Sequence, residues 1–118
     1  MENKSLDQTA YEILVERAIN NKPIYYGDFY DLLGLDCRQA KNRQIGSKTL
    51  EDVNIKSGTD YMLSAFVVGR GNNEPYEGFY KLAMKWKRLS YSSSKNQKYA
   101  FWIDEMKRVH EKYLDNLV

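Results

Sequence analysis

Only one cysteine, Cys37, and one histidine, His110, occur in the chain. Nucleophilic catalysis of the Cys–His kind would need these two to meet in space, because the thiol requires a base to ionise it. Nothing local supports that. Cys37 lies in a polar, turn-rich stretch, and His110 stands between Val109 and Glu111 close to Arg108. The same scarcity excludes a His/Cys zinc cluster from a single chain. Ser64 sits inside an apolar run rather than at the sharp turn that exposes a nucleophilic serine. Gly69-Arg70-Gly71 leads into further turn residues, so it reads as a turn and not as a phosphate loop. Asp104 and Glu105 are adjacent on a helix-forming stretch and face different ways, a poor arrangement for a paired acid and base. The expectation is a protein with no catalytic site, no metal and no cofactor.

The chemistry that the spacing does support is ionic. Eighteen Lys and Arg against sixteen Asp and Glu leave a net charge of +2, a total that selects no partner. The distribution says more. From Cys37 to Lys48 stand Arg38, Lys41, Arg43 and Lys48 with no acid, interleaved with Gln39, Asn42 and Gln44. Arg, Asn and Gln can read base edges in the major groove, while Lys mostly meets phosphates. From Lys81 to Lys98 stand Lys81, Lys85, Lys87, Arg88, Lys95 and Lys98, again without an acid and with Trp86 and Tyr91 among them. Cations beside aromatic rings suit a nucleic-acid backbone with stacked bases. Both stretches could equally be solvated helix faces, or lysine stems lying over core aromatics. Acid gathers nearer the start, at Glu12, Glu16, Asp28, Asp31 and Asp36. A chain polarised in this way also suits a protein partner. Tyr25, Tyr30, Tyr76 and Tyr80 are candidates for that surface, since Tyr is frequent at binding hot spots.

Few elements are needed to position these side chains. Ser5 and Gln8 form a capping-box pattern, and Leu6, Ala10, Ile13, Leu14 and Ala18 recur at helical spacing. They predict a helix over 6–20, stopped by Pro23. Ile24-Tyr25-Tyr26 predicts a short strand, and Asp28 to Gly34 a helix of about two turns, too short to stand without packing. A third, polar helical segment over 39–56 contains Gly46, which weakens it by about 1 kcal/mol relative to Ala. Tyr61 to Val68, apolar, aromatic and β-branched between Gly58 and Gly69, predicts the clearest strand. Turn residues over 69–75 and then Gly78-Phe79-Tyr80 predict its hairpin partner. A helix from about Leu82 to Leu89 follows. Ser94 and Gln97 open a last helix that carries Phe101, Trp102, Met106, Val109, Tyr113, Leu114 and Leu117. Its stripe is wide enough to pack on the domain or on a second copy, so self-association through this helix is a further expectation. No run approaches the roughly 18–20 apolar residues of a membrane span. The first residues lack the apolar core of a signal peptide, and a lone cysteine suits a reducing compartment. The expected location is the cytoplasm, away from membranes.

A short strand, two helices and a hairpin, in that order, describe a winged helix. The expected fold is one α+β domain over residues 1–118, a winged-helix-like core braced by N-terminal and C-terminal helices. The second helix of the pair would be the recognition helix, and residues 61–80 the wing. Pro23-Ile24-Tyr25-Tyr26-Gly27-Asp28-Phe29 with Leu33-Gly34, then Ile45-Gly46-Ser47-Lys48-Thr49-Leu50, resembles the winged-helix part of alkyltransferase-like DNA repair proteins over roughly residues 22–50. That family's Pro-Cys-His-Arg active-site stretch is missing, and Cys37 falls in the turn between the helices. The resemblance therefore implies no alkyl transfer. It implies DNA binding through the helix pair, carried to Tyr26, Arg38, Arg43 and Lys48. Tyr26-Gly27-Asp28, Leu63 to Val68, Pro75 with Gly78-Phe79-Tyr80, and Phe101-Trp102 together resemble a group of small bacterial and phage proteins, which implies no activity.

The chain thus reads as a non-enzymatic DNA-binding protein, regulatory or linked to mobile elements or phage. Its contacts with double-stranded DNA would come from Tyr26, Arg38, Gln39, Lys41, Asn42, Arg43 and Lys48, from Arg70 in the hairpin turn, and from Lys81, Lys85 and Arg88. The alternative is a protein-binding module, an inhibitor or accessory subunit of a bacterial defence or phage complex.

Overall fold

The computed structural model describes residues 5–58 and 60–115. Leu117, expected in the last helix, lies outside them. Helix α1 spans Leu6–Asn20. The Ser5 hydroxyl accepts from the Gln8 amide at 3.1 Å, satisfying one of the orphan donors at the helix start. At the other end Asn21 is left-handed (φ 54) and its amide returns to the Ala18 carbonyl, after which Pro23 cannot continue the helix. Ala10, Leu14 and Ala18, four residues apart, are fully buried. Their small and medium side chains let α1 approach both α3, Ala40–Ser57, and α5, Lys95–Asp115.

Strand β1 is the pair Ile24–Tyr25, and α2 runs from Tyr26–Leu32. Beyond α3, Leu63–Phe66 form one 3-10 turn and Val67–Val68 form β2. Strand β2 pairs with β1 in parallel, Ile24 opposite Val67 and Tyr25 opposite Val68. Helix α4 covers Glu77–Lys85. The chain is mostly helical around this one two-stranded parallel sheet, an α+β arrangement.

The hairpin expected over 61–80 does not form. Every residue from Tyr61 to Val68 is buried, because the segment threads between α1, α3 and α5. A short run that is apolar throughout carries no period, so it cannot distinguish a ladder strand from an enclosed crossing. Side chains replace the missing ladder. The Met62 amide donates to Glu105 Oε2 at 2.7 Å and the Ser64 amide to Asn54 Oδ1 at 3.1 Å, while the Ala65 carbonyl accepts from Trp102 Nε1 at 2.8 Å. Buried backbone groups must be paired, and here α3 and α5 supply the partners. Gly78-Phe79-Tyr80, expected as the returning strand, is the first part of α4. Phe79, Tyr80, Leu82 and Ala83 make one buried helical face, which outweighs the β preference of the aromatic pair. The helix ends earlier than expected, at Trp86, where Lys87 turns left-handed (φ 60).

Helix α5 begins with the reciprocal box read from its sequence. The Gln97 amide donates to Ser94 Oγ at 3.2 Å, and Gln97 Oε1 accepts from the Ser94 amide at 2.7 Å. One core cluster joins α1, α2, α3 and α5 around Phe29, Leu14 and Phe66. A second joins α4 and α5 around Phe79, Ala83 and Trp102. Met106 packs against both. Among the described residues no helix is long and apolar enough to cross a membrane.

Candidate nucleic-acid interface

Helices α2 and α3 are locked together by one close approach. Gly46 presents bare backbone to the Tyr30 ring, and a Cβ there would lie 2.2 Å from Tyr30 Cζ. The Tyr30 hydroxyl donates to the Arg43 carbonyl at 2.9 Å, and burial holds its pKa above the usual phenol value. The glycine that weakens α3 by propensity is therefore what lets α2 seat on it.

The turn before α3 is fixed by three of the expected contact residues. Arg38 grips Asp36 with two parallel bonds of 3.0 Å, and this guanidinium holds the Asp36 carboxyl below the usual carboxylate value. Asn42 Nδ2 donates to the Asp36 carbonyl at 3.1 Å. Arg43 Nη1 donates to the carbonyls of Cys37 and Arg38 at 3.0 and 3.1 Å. Arg38, Asn42 and Arg43 thus shape the turn, although the Arg38 and Arg43 side chains stay exposed.

What projects from the first half of α3 is a different set. Lys41, Gln44 and Lys48 lie along one helical stripe, and all three are exposed. Among the described residues the Lys41 and Gln44 side chains have no hydrogen-bond or ionic partner. Lys48 has a loose pair with Asp52 at 3.7 Å. Gln39 is exposed at the N-cap without a side-chain capping bond. The helical spacing of 41, 44 and 48 carried the signal for Gln44, which composition alone did not single out.

Helix α4 lies beside the middle and second half of α3. A cavity of about 130 Å³ between them is walled by Ser47, Leu50, Glu51 and Asn54 on one side and Gly78, Phe79 and Leu82 on the other. Lys85 reaches Glu51 at 3.8 Å, one helical turn beyond Lys48. Lys81 is exposed on the same helix. Arg88 does not join them. It is only 16% exposed, and its guanidinium pairs with the buried Glu105 carboxylate, Nη2 to Oε1 at 2.6 Å. Arg108 completes that cluster at 3.2 Å from Glu105. Arg70 lies over the Tyr25 ring, 4.5 Å from its centroid, and approaches Asp28 at 3.7 Å.

Tyr25, Tyr30 and Tyr80, proposed as partner-binding residues, are half-buried or buried. Burial and the nearby Glu74 and Glu77 carboxylates push the Tyr80 phenol up to about 12. Tyr76 alone of that set stands out, 53% exposed, with its ring stacked on Tyr26 at 3.9 Å and 6°. Tyr26 is itself half-buried, and burial raises its pKa. On α5 the exposed apolar side chains are Ile103, Tyr99 and Leu114, the material on which self-association would have to draw.

His110 and Cys37 are both tied to the scaffold. His110 Nδ1 lies 2.7 Å from the Ala18 carbonyl, joining α5 to the end of α1. Cys37 is half-buried and packs against the main core. Among the described residues no group of three His, Cys, Asp or Glu could hold a metal ion. Compared with family models, with curated proteins and with solved structures, the chain matches none.

Proposed function

We propose that the protein is a non-enzymatic DNA-binding protein of the cytoplasm that docks the first half of α3 on its nucleic acid. Helices α2 and α3 serve as a helix-turn-helix pair in the winged-helix manner, with the tight loop over 69–76 standing where a hairpin wing would. The observation that carries this reading is the exposed stripe of Lys41, Gln44 and Lys48 on an acid-free helix half. Cations that the fold does not consume are available to replace the counterions of a phosphate backbone. Gln44 has the donor and acceptor that can read an adenine edge. Arg38, Asn42 and Arg43 hold the turn that sets the angle of the helix.

The test is a fluorescence-anisotropy titration of duplex DNA at two salt concentrations. The full chain is compared with its Lys41→Ala/Lys48→Ala variant. Wild-type affinity should fall steeply with salt. The double variant should bind more weakly and lose about 2 from the slope of log affinity against log salt, since each phosphate contact contributes about 0.9. Equal affinity and equal slope in the two proteins would remove α3 from the interface.

A further inference from the structure

Asn54 and Ser64 are buried polar residues that satisfy one another only in part. The Ser64 amide donates to Asn54 Oδ1 at 3.1 Å, which fixes the way the Asn54 amide group points, and Asn54 Nδ2 then donates to Ser64 Oγ at 2.7 Å. Asn54 is 1% exposed and Ser64 5%. An asparagine amide carries two N–H donors and a serine hydroxyl one. Among the described residues nothing accepts the second Nδ2 hydrogen or the Ser64 hydroxyl proton. Buried donors are normally paired, so two left over side by side indicate a partner that is not part of the chain.

Both residues line the cavity of about 130 Å³ between α3 and α4. Burial distinguishes its floor from its mouth. Asn54 and Ser64 lie at the floor, with the buried side chains of Leu50, Phe79 and Leu82 around them. Ser47 and Gly78 are exposed and mark the mouth. Gly78 leaves that mouth open, since a Cβ there would meet nothing within 4 Å. Its φ is not left-handed, so the backbone of α4 makes no demand for glycine, and glycine weakens a helix relative to alanine. The cavity is close in size to an apolar one of about 150 Å³ that takes benzene.

Charge narrows the class of occupant. The Glu51 carboxylate lines the cavity, half-exposed and only loosely paired with Lys85 at 3.8 Å, and it repels an anion. The floor offers donors alone, which an ammonium group cannot use. The Tyr26 phenol, also in the wall, is kept protonated by burial. A fitting molecule is therefore neutral, about the size of a six-membered ring, apolar in its body and equipped with one oxygen acceptor.

We infer that the cavity between α3 and α4 is a binding site for a small neutral carbonyl compound, such as a cyclic amide. Its oxygen accepts from Ser64 and Asn54 while its ring lies against Leu50, Phe79 and Leu82. Ser47, Glu51 and Asn54 occupy a different face of α3 from Lys41, Gln44 and Lys48, so the site does not depend on the nucleic-acid reading.

The experiment follows the amide NMR signals of the full chain while δ-valerolactam, and separately benzene, is added. The lactam should shift the Asn54 side-chain amide and the Ser64 and Gly78 backbone amides saturably, with the roughly millimolar affinity of so small a molecule. Gly78→Leu, which fills the mouth, should weaken this binding at least about 10-fold, and Gly78→Ala should weaken it less. Ser64→Ala should weaken lactam binding about 2- to 10-fold, the range for one hydrogen bond, and leave benzene binding unchanged. Absence of a saturable shift with the lactam overturns the proposal, because the leftover donors then serve water alone. Lactam binding that persists in Gly78→Leu overturns it by placing the site elsewhere. Equal losses of lactam and benzene in Ser64→Ala overturn it too, since Ser64 would then act through the packing of the cavity. Should Gly78→Leu fail to fold, Gly78→Ala and Ser64→Ala decide the matter.

Discussion

Two stretches of the chain concentrate base without acid, residues 37–48 and 81–98, and the fold buries an ion pair in the second alone. In the later stretch Arg88 is drawn inward to Glu105, Lys98 is held by Glu77 over the Tyr80 ring, and Lys85 reaches Glu51. Part of its charge links α3, α4 and α5, while Lys81, Lys87 and Lys95 stay exposed. In the earlier stretch Arg38 and Arg43 shape a turn while staying exposed, and Lys41, Gln44 and Lys48 face outward. Charge density along a sequence is thus a poor guide to surface charge. What decides is whether an acid on another element stands within reach of the cation in a site sheltered from water.

The sharpest way to break that contrast is at Glu105, which is 1% exposed and receives Arg88, Arg108 and the Met62 amide. Glu105→Ala leaves a sheltered guanidinium without its counter-charge and a buried amide without its acceptor. The expected loss is about 3–5 kcal/mol in urea unfolding. Removing Lys41 instead should move stability by no more than about 0.5 kcal/mol. Comparable losses at the two positions would erase the distinction between them.

A smaller effect tests how the exposed stretch is held. Gly46→Ala should gain about 1 kcal/mol of helix propensity but force its Cβ into the Tyr30 ring, at a cost of about 1–3 kcal/mol. In a Tyr30→Ala background the same change should become stabilising, because the obstruction is gone. A double-mutant cycle by thermal unfolding measures the coupling. Additive effects would mean that α2 is not seated on Gly46.

The smallest effect belongs to the exposed Asp36–Arg38 pair. The pair depresses the Asp36 carboxyl below its ordinary value of 3.8, so its stabilisation is present above that value and lost as pH falls through the depressed one. Thermal melts of wild type and Asp36→Asn across the acid range should differ slightly above the ordinary carboxylate value and converge below it. Salt should shrink the difference, as for any surface pair. A gap that widens in acid would contradict this sign.

The sequence made some of this legible and hid the rest for definite reasons. Helix α1 was readable to the residue, because Ser5, the Ala10–Leu14–Ala18 stripe and Pro23 each act within a few residues of where they stand. The Ser94/Gln97 box at the start of α5 was readable for the same reason. Tyr61 to Val68 was not, since a run buried on every side looks the same whether it pairs in a ladder or is served by side chains from Asn54, Trp102 and Glu105. Gly78-Phe79-Tyr80 reads as a strand from its aromatic pair, although Phe79, Tyr80, Leu82 and Ala83 hold the spacing of a buried helical face. The outward residues of α3 were visible as a basic run, but not the division of labour within it. That division depends on where carbonyls of the preceding turn come to lie.

The sequence by itself therefore determined the local facts: where α1 and α5 begin, that α3 is polar, and that Cys37 and His110 are the chain's sole thiol and imidazole. The tertiary structure alone decided which cations remain outside, which glycines are contact surfaces, and which tyrosines stay exposed. Caps and spacing act over a few covalent links, so they can be read along the chain. Desolvation, ion pairing and ring stacking join residues far apart in sequence, and their outcome is set only when the helices close around Met62, Ala65 and Phe66.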